Sequence, residues 1–303
     1  MIMGCGTWDT DSFRSYSTSK GLTTDKLGFV TSSVSNQEMF KARDLDSALD
    51  PKDVIRECCD SDDHPNTLPV ILALDVTGSM GQAAVEVAKK LNGIMTKLYE
   101  NIKDVEFMIM GIGDLSCDYY PIQVSQFESD IRIAEQLDKI YFEFGGGGNM
   151  YESYTAAWYF GLHHTKLDCW NRGKRGIIIT IGDERINPYL PMHGRRSGLV
   201  DALGDNLEKD VETPELFEEA SKKFDIYHIH VRHGSNYDKE NIEKSFKSII
   251  AENHFKEANL DNITDTIVDI IVDAAENDTP VVAATSVNTP SNVSTNENGE
   301  IVW

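Results

Sequence analysis

Residues 68–91, LPVILALDVTGSMGQAAVEVAKKL, constrain the chain more than any other stretch, because an apolar run ends abruptly in oxygen-bearing side chains and resumes as an amphipathic helix. Val70, Ile71, Leu72, Ala73 and Leu74 form the continuous aliphatic run expected of a central strand covered on both faces of a parallel sheet. Gly78 and Gly81 break it. From Ala84 the apolar residues Ala84, Val87, Ala88, Leu91, Ile94, Met95 and Leu98 recur three or four apart, with Glu86, Lys89, Lys90 and Lys97 between them, which predicts a helix with one buried face.

The turn between strand and helix carries the chemistry. Asp75, Thr77 and Ser79 occupy alternate positions at the carboxyl end of the strand, where open α/β sheets place their ligands. Oxygen donors of low total charge suit a hard divalent cation such as magnesium, which prefers octahedral geometry at about 2.0–2.1 Å and retains several waters; manganese and calcium are the alternatives. DVTGSM resembles the first segment of the metal-ion-dependent adhesion site of von Willebrand factor type A domains, whose pattern is Asp, any residue, Ser or Thr, any residue, Ser. The alternative reading of this segment alone is that Asp75 and Ser79 merely cap the helix that follows.

Two later stretches fit the same scheme. GGGGNMYESYTAAWYFGL at 145–162 lets the backbone pass close to a ligand, and its polar residues Asn149, Glu152, Ser153 and Thr155 precede a helix carrying Ala156, Tyr159 and Phe160. A nucleotide-binding loop is the competing reading, but the stretch lacks the Gly-Lys-Ser/Thr ending and does not directly follow an apolar strand. In type A domains the second metal loop stands here. Many members use a threonine after the glycines; this sequence resembles the variant in which Asn or Glu follows, so Asn149, Glu152, Ser153 and Thr155 all remain candidates for the coordinating residue. The third stretch, RGIIITIGDE at 175–184, is another buried strand, ending in Asp183 where the resemblance places the final aspartate. The resemblance implies that Thr77 and Ser79 bind the metal directly while Asp75 and Asp183 accept hydrogen bonds from its waters, holding the direct ligands in place.

The remaining segments fill out the sheet. VEFMIMGIGD at 105–114 reads as a second strand and PIQVSQF at 121–127 as a third, and the link between them is too short for a crossover helix, so they are expected to pair antiparallel at an edge. Helices are expected over 130–144, 213–224 with Pro214 at the first helical position, 238–253 and 262–276, and a short one over 36–49. DIYHIHV at 225–231 is a strand; its His228 and His230, with His233 beyond and His64 in an earlier turn, are read as strand or loop residues in preference to zinc ligands. The fold class expected is a doubly wound α/β sandwich with a mostly parallel sheet, one antiparallel edge strand and helices on both faces. The domain spans 68–276, about two thirds of the chain, preceded by an irregular extension at 1–67 that docks through Trp8, Phe13 and Tyr16, and followed by a flexible tail at 277–303 ending in Ile301, Val302 and Trp303.

Charge restricts the partners. Fifty acidic against 28 basic residues give a net charge of −22, which opposes nucleic acid and anionic membrane. No apolar run approaches the length of about 18 residues that a membrane span requires, and no leader is evident. Cys5, Cys58, Cys59, Cys117 and Cys169 are odd in number and lack zinc spacing, so a reducing compartment is expected: cytoplasmic, or a virion if the chain is encoded by a phage.

If neutral hydroxyls alone touch the cation, its charge stays poorly compensated and one position remains for an outside anion. The expected partner is therefore a protein presenting Asp or Glu. Gly147 and Gly148, and the arginines Arg185, Arg195 and Arg196 of the loop RINPYLPMHGRRSG at 185–198, are the candidate partner-binding residues. By its GIGD, GGGGN and TIGDE segments the chain is similar to stand-alone intracellular type A proteins of bacteria and phages; some intracellular relatives work with AAA-type ATPases or build larger assemblies. Two other classes stand beside this one: a structural or assembly protein whose metal site is structural or vestigial, and a metal-dependent hydrolase using Glu152 or Glu184, for which no compact catalytic constellation is evident.

Overall fold

In the computed structural model, which describes residues 6–143, 150–232 and 238–277 together with the backbone of the short strands Ser294–Thr295 and Ile301–Val302, the aliphatic run at 70–74 lies inside a strand that is buried from Pro69 to Asp75. Helix α1 (Thr10–Ser19), the single turn α2 (Asn36–Met39) and strand β1 (Arg56–Cys58) come before it. The strand itself, β2 (Leu68–Asp75), passes through a 3-10 turn at Gly78–Met80 into the long helix α3 (Gly81–Asn101). Next come β3 (Val105–Ile112), β4 (Ile122–Val124), α4 (Arg132–Leu137), β5 (Tyr151–Glu152), α5 (Thr155–His163) and β6 (Thr165–Leu167). Strand β7 (Gly176–Gly182) leads to β8 (Arg185–Ile186), β9 (Tyr189–Leu190), α6 (Leu199–Leu203) and β10 (Val211–Glu212). The described domain closes with α7 (Thr213–Ala220), β11 (Phe224–Val231), α8 (Lys239–Lys247), β12 (Phe255–Ala258) and α9 (Ile263–Asn277).

The main sheet runs β12-β11-β7-β2-β3-β4. All neighbours are parallel except the edge pair β3 and β4. The chain enters at β2, winds outward through β3 to β4, returns to β7 on the other flank of β2, and winds outward again to β11 and β12, so the sheet is doubly wound. Successive residues of a strand face opposite layers. Val70, Leu72 and Leu74 join Val87, Leu91, Ile267 and Ile271 of α3 and α9, while Ile71 and Ala73 join Ala157, Trp158 and Phe160 of α5 and Phe246 of α8. With burial worth about 1.5–3 kcal/mol per large aliphatic side chain, these two helical layers hold the sheet more than strand propensity does. Among the described residues no helix is long and apolar enough to cross a membrane.

Four expected helices are shorter than their periodicity suggests, among them α7, which ends at Ala220 ahead of β11, and β12 is a strand that the sequence pattern does not announce. Helix α4 stops at Leu137 because the chain beyond it is claimed by tertiary hydrogen bonds: Tyr141 N donates to Gln123 Oε1 at 2.9 Å, Gln123 Nε2 to Tyr141 O at 2.8 Å, and Glu143 N to Val76 O at 3.0 Å. α2 is one turn, closed by a capping box in which Ser35 and Glu38 bond each other's backbone N–H. α8 ends at Lys247, followed by a separate 3-10 turn at Glu252–His254.

Residues 6–49 pack largely against the α3 layer, whereas β1 pairs parallel with β6 and Cys58 joins the α5 layer. Trp8 Nε1 donates to Asn92 Oδ1 at 2.9 Å, Asn92 Nδ2 donates to Leu27 O at 2.8 Å, and Phe13 and Phe40 enter the same core. His64 is buried, with Nε2 donating to the carbonyl of Gly6 at 2.7 Å. His233 and the stretch from 278 onward, apart from the backbone of its strand pair, lie outside the described residues.

Candidate functional site

Because β3 and β7 flank β2 on opposite sides, the carboxyl end of β2 is the switch point of the sheet, the place where open α/β sheets bind their ligands. Asp75 ends β2 and Asp183 follows directly on β7. Asp75 is fully buried. Its Oδ1 accepts from Thr77 N at 2.9 Å and Thr77 Oγ1 at 2.6 Å, and its Oδ2 accepts from the Tyr154 hydroxyl at 2.9 Å. Thr77 Oγ1 lies 3.3 Å from Ser79 Oγ, and Ser79 Oγ donates to Asp183 Oδ1 at 3.1 Å. The ladder climbs from a buried floor to an exposed mouth: Asp75 and Thr77 are buried, Asp183 is half-buried and Ser79 is exposed.

The glycine-rich stretch reaches the same place through β5, which pairs parallel with β8 so that Tyr151 lies beside Arg185 and Glu152 beside Ile186. Of its candidate ligands, Ser153 and Thr155 are engaged elsewhere. Ser153 Oγ accepts from Leu115 N at 3.0 Å, and Thr155 Oγ1 accepts from Asn187 Nδ2 at 2.6 Å. Glu152 is buried, and its Oε2 has no hydrogen-bond partner among the described residues. Asn149, Gly147 and Gly148 lie outside the described residues.

The electrostatics are one-sided. Burial, reinforced by the negative charge of Asp183, pushes the Asp75 carboxyl up to about 7 against the hydrogen bonds from Thr77 and Tyr154. Glu152 is pushed well above the usual carboxylate range, first by burial and then by Asp75, Asp118, Asp114 and Glu184. Asp118 is raised to about 6, again chiefly by burial. Two hydroxyl oxygens thus sit among carboxylates, and the largest influences on the Asp75 and Glu152 carboxyls are burial and other carboxylates. That is a donor set for a hard cation. Among the described residues no three His, Cys, Asp or Glu side chains are gathered to hold a metal.

Several participants carry signals that the sequence reading passed over. Tyr154 donates to Asp75, and its hydroxyl accepts from Glu184 N at 3.2 Å, which ties the first and third loops together; it sits two residues after Glu152 but reads as core. The close approach requires Gly182, where a Cβ would lie 1.9 Å from the Tyr154 hydroxyl. Asp114 and Asp118 fold the loop after β3: Asp114 N donates to Asp118 Oδ2 at 2.7 Å and Ser116 N to Asp114 Oδ1 at 2.8 Å. Their signal was the Gly-Asp end of the 105–114 strand, a further strand-end carboxylate. Of the three arginines, Arg185 faces Asp238, with Nε to Oδ2 at 2.6 Å and Nη2 to Oδ1 at 2.7 Å. Arg195 and Arg196 are exposed, and Arg196 Nη1 lies 3.4 Å from Glu143 Oε1.

No protein-family model matches the chain, and no curated protein matches it in sequence. Among solved structures it is similar to the pilus adhesin SpaC from Lactobacillus rhamnosus GG, at 13% identity and a TM-score of 0.47 over 75% of this chain and 31% of the adhesin. It is similar as well to the vWF domain of the type V pili tip protein Mfa5 from Porphyromonas gingivalis, at 14% identity and a TM-score of 0.42 over 68% of this chain and 95% of that domain. A third, the conserved hypothetical protein BatB from Bacteroides thetaiotaomicron, matches at 15% identity and a TM-score of 0.38 over 69% and 99%. The chain spans about a third of the length of the adhesin.

Proposed function

We propose that this chain is a protein-binding module of the von Willebrand type A kind, whose switch-point site takes a divalent cation, magnesium in the first place, and through it a carboxylate of a partner protein. One observation carries the reading: Thr77 Oγ1 and Ser79 Oγ stand 3.3 Å apart between two strand-end aspartates, over the fully buried Asp75 carboxyl, on which burial and the charge of Asp183 act most strongly. Thr77 and Ser79 would hold the cation, with Asp75 and Asp183 orienting its waters and Glu152 adding charge from the second loop. A cation held by neutral oxygens supplies a poorly compensated positive charge to an outside anion. The chain's own contribution is positional. The Thr77 N–H and the Tyr154 hydroxyl fix both oxygens of Asp75, so the carboxylate is pre-oriented.

One feature favours a second reading, that of a structural or assembly protein. Thr77 and Ser79 already donate to Asp75 and Asp183, which closes the turn without any cation. Magnesium titration by calorimetry separates the two. Under the proposed function wild type binds magnesium, and Asp75→Asn and Ser79→Ala each weaken it by about 10–100-fold. Capture of a protein partner in magnesium, but not in chelator, completes the case. Absence of cation binding by wild type, with partner capture indifferent to chelator, establishes the structural reading.

A further inference from the structure

The three arginines of the 185–198 loop differ in what they have left to offer. Arg185 is engaged by both oxygens of Asp238. Arg195 and Arg196 are exposed, and the segment that carries them is held backbone to backbone. Arg195 N donates to Ser116 O at 2.8 Å, and a Cβ at Gly194 would lie 1.7 Å from Ser197 O and 2.0 Å from Leu115 O. At Gly198 a Cβ would lie 2.5 Å from Met192 O. The two arginines therefore project from fixed positions beside the Asp114–Asp118 turn.

That position is the rim of the hydroxyl site. Arg196 Cζ stacks 3.9 Å from the ring centre of Tyr119 while its Nη1 reaches Glu143 Oε1. Glu143 accepts from Tyr119 N at 3.0 Å and donates its own N–H to the carbonyl of Val76, the residue between Asp75 and Thr77. Tyr119 is 56% exposed, so ring and guanidinium form an open pair fixed to the backbone of the metal turn. Tyrosine and arginine are the residues that dominate binding hot spots. A guanidinium has five N–H donors in a planar fork, and Glu143 occupies only part of it. Arg195 makes no ion pair among the described residues. In a chain of net charge −22, these two side chains draw an anion to one side of a carboxylate-lined mouth.

We infer that Arg195, Arg196 and Tyr119 form the second contact for the partner, and that the partner presents an acidic segment with two carboxylates. One carboxylate takes the cation and the other takes the arginine fork, with the Tyr119 ring as the floor between them. The inference rests on the proposed function, because the first carboxylate presupposes the cation.

The test uses the full chain and fluorescein-labelled glycine-serine peptides carrying no glutamate, one glutamate, or two at varied spacing, titrated in magnesium by fluorescence anisotropy. Magnesium binding is measured separately by calorimetry without peptide. Wild type is expected to bind the best two-glutamate peptide about tenfold more tightly than the one-glutamate peptide, the scale of one charge-assisted hydrogen bond. The double variant Arg195→Ala/Arg196→Ala is expected to abolish that ratio with magnesium binding unchanged, and Arg196→Lys, which keeps charge but loses the fork and the stacking, to reduce it. Equal glutamate-dependent binding of one- and two-glutamate peptides by wild type, or a preference that survives the double variant, overturns the inference and leaves the proposed function standing, whereas absence of any glutamate-dependent binding in magnesium overturns both. Loss of magnesium binding in wild type overturns both.

Discussion

Two buried glutamates mark the two ends of the main sheet, Glu106 within it at the amino end of β3 and Glu152 in the separate β5–β8 pair near the carboxyl end of β2. Glu106, at the start of β3, accepts from Cys58 Sγ at 3.2 Å; burial pushes its carboxyl up to about 7, while the Cys58 hydrogen bond and the charge of His64 pull it down. Around it the acidic groups at that end have arginines: Glu128 meets Arg132 at 2.8 Å, Asp225 meets Arg175 at 2.8 Å, and Asp60 meets Arg172. At the other end, the neighbouring charges that act most strongly on Glu152 are carboxylates: Asp75, Asp118, Asp114 and Glu184. The buried glutamate at the amino ends thus has a thiol and an imidazole pulling its carboxyl down, whereas the strongest influences on the one at the carboxyl ends are burial and other carboxylates. Buried like charges of this kind are where a bound cation would have the largest electrostatic effect, which is the basis of the proposed function.

The strongest way to break the carboxyl end is to remove its floor. Tyr154→Ala is expected to cost about 3–5 kcal/mol in urea unfolding, because a fully buried ring and the partner of Asp75 are lost together. Tyr154→Phe keeps the ring, and most of the stability should return while magnesium affinity stays weak.

Glu106→Gln tests the amino end through pH. A carboxyl raised in the folded state stabilises fully below its unfolded value and loses that contribution as pH rises through the folded one. Wild type should therefore lose stability between roughly pH 4.5 and pH 7 from this group, by up to about 3 kcal/mol. The glutamine variant should show a flatter profile and greater stability at pH 8. If its profile keeps the wild-type slope, Glu106 is not the group responsible.

At Glu152 the sign of the effect depends on the cation. In chelator, Glu152→Gln is expected to stabilise by about 1–3 kcal/mol, since a buried charge repelled by its neighbours disappears. In magnesium the same change should weaken cation binding. Destabilisation in chelator would mean that Glu152 has a favourable internal partner and would erase the contrast with Glu106. The smallest effect is expected for His64→Phe, which removes a positive charge near Glu106 and should move the Glu106 transition to higher pH, with a stability change of about 1 kcal/mol or less at pH 6.

These contrasts were only partly legible in the chain itself. Asp75, Thr77, Ser79 and Asp183 could be read because each sits where an aliphatic run stops, and the doubly wound order follows from strands alternating with helices. Tyr154 could not, because an aromatic among Ala, Trp and Phe reads as core until its hydroxyl is seen to reach two loops. The engagement of Arg185 was hidden for a related reason: its partner Asp238 lies 53 residues further on. The early end of α4 reflects side-chain and backbone hydrogen bonds from Gln123 and Val76, which no local period records.

The contact between Gly182 and Tyr154 sets a rule for how such a sequence can drift. A Cβ at position 182 would meet the tyrosine not only at its hydroxyl but at Cζ, 2.4 Å away, so replacing Tyr154 by Phe opens no room. A side chain becomes tolerable at 182 only after the ring at 154 has gone, and once the ring has gone Asp75 has lost its fixed orientation. The two positions are therefore expected to change together or not at all, and a related chain bearing Ala at the first and a small residue at the second would have left this mode of holding the aspartate behind.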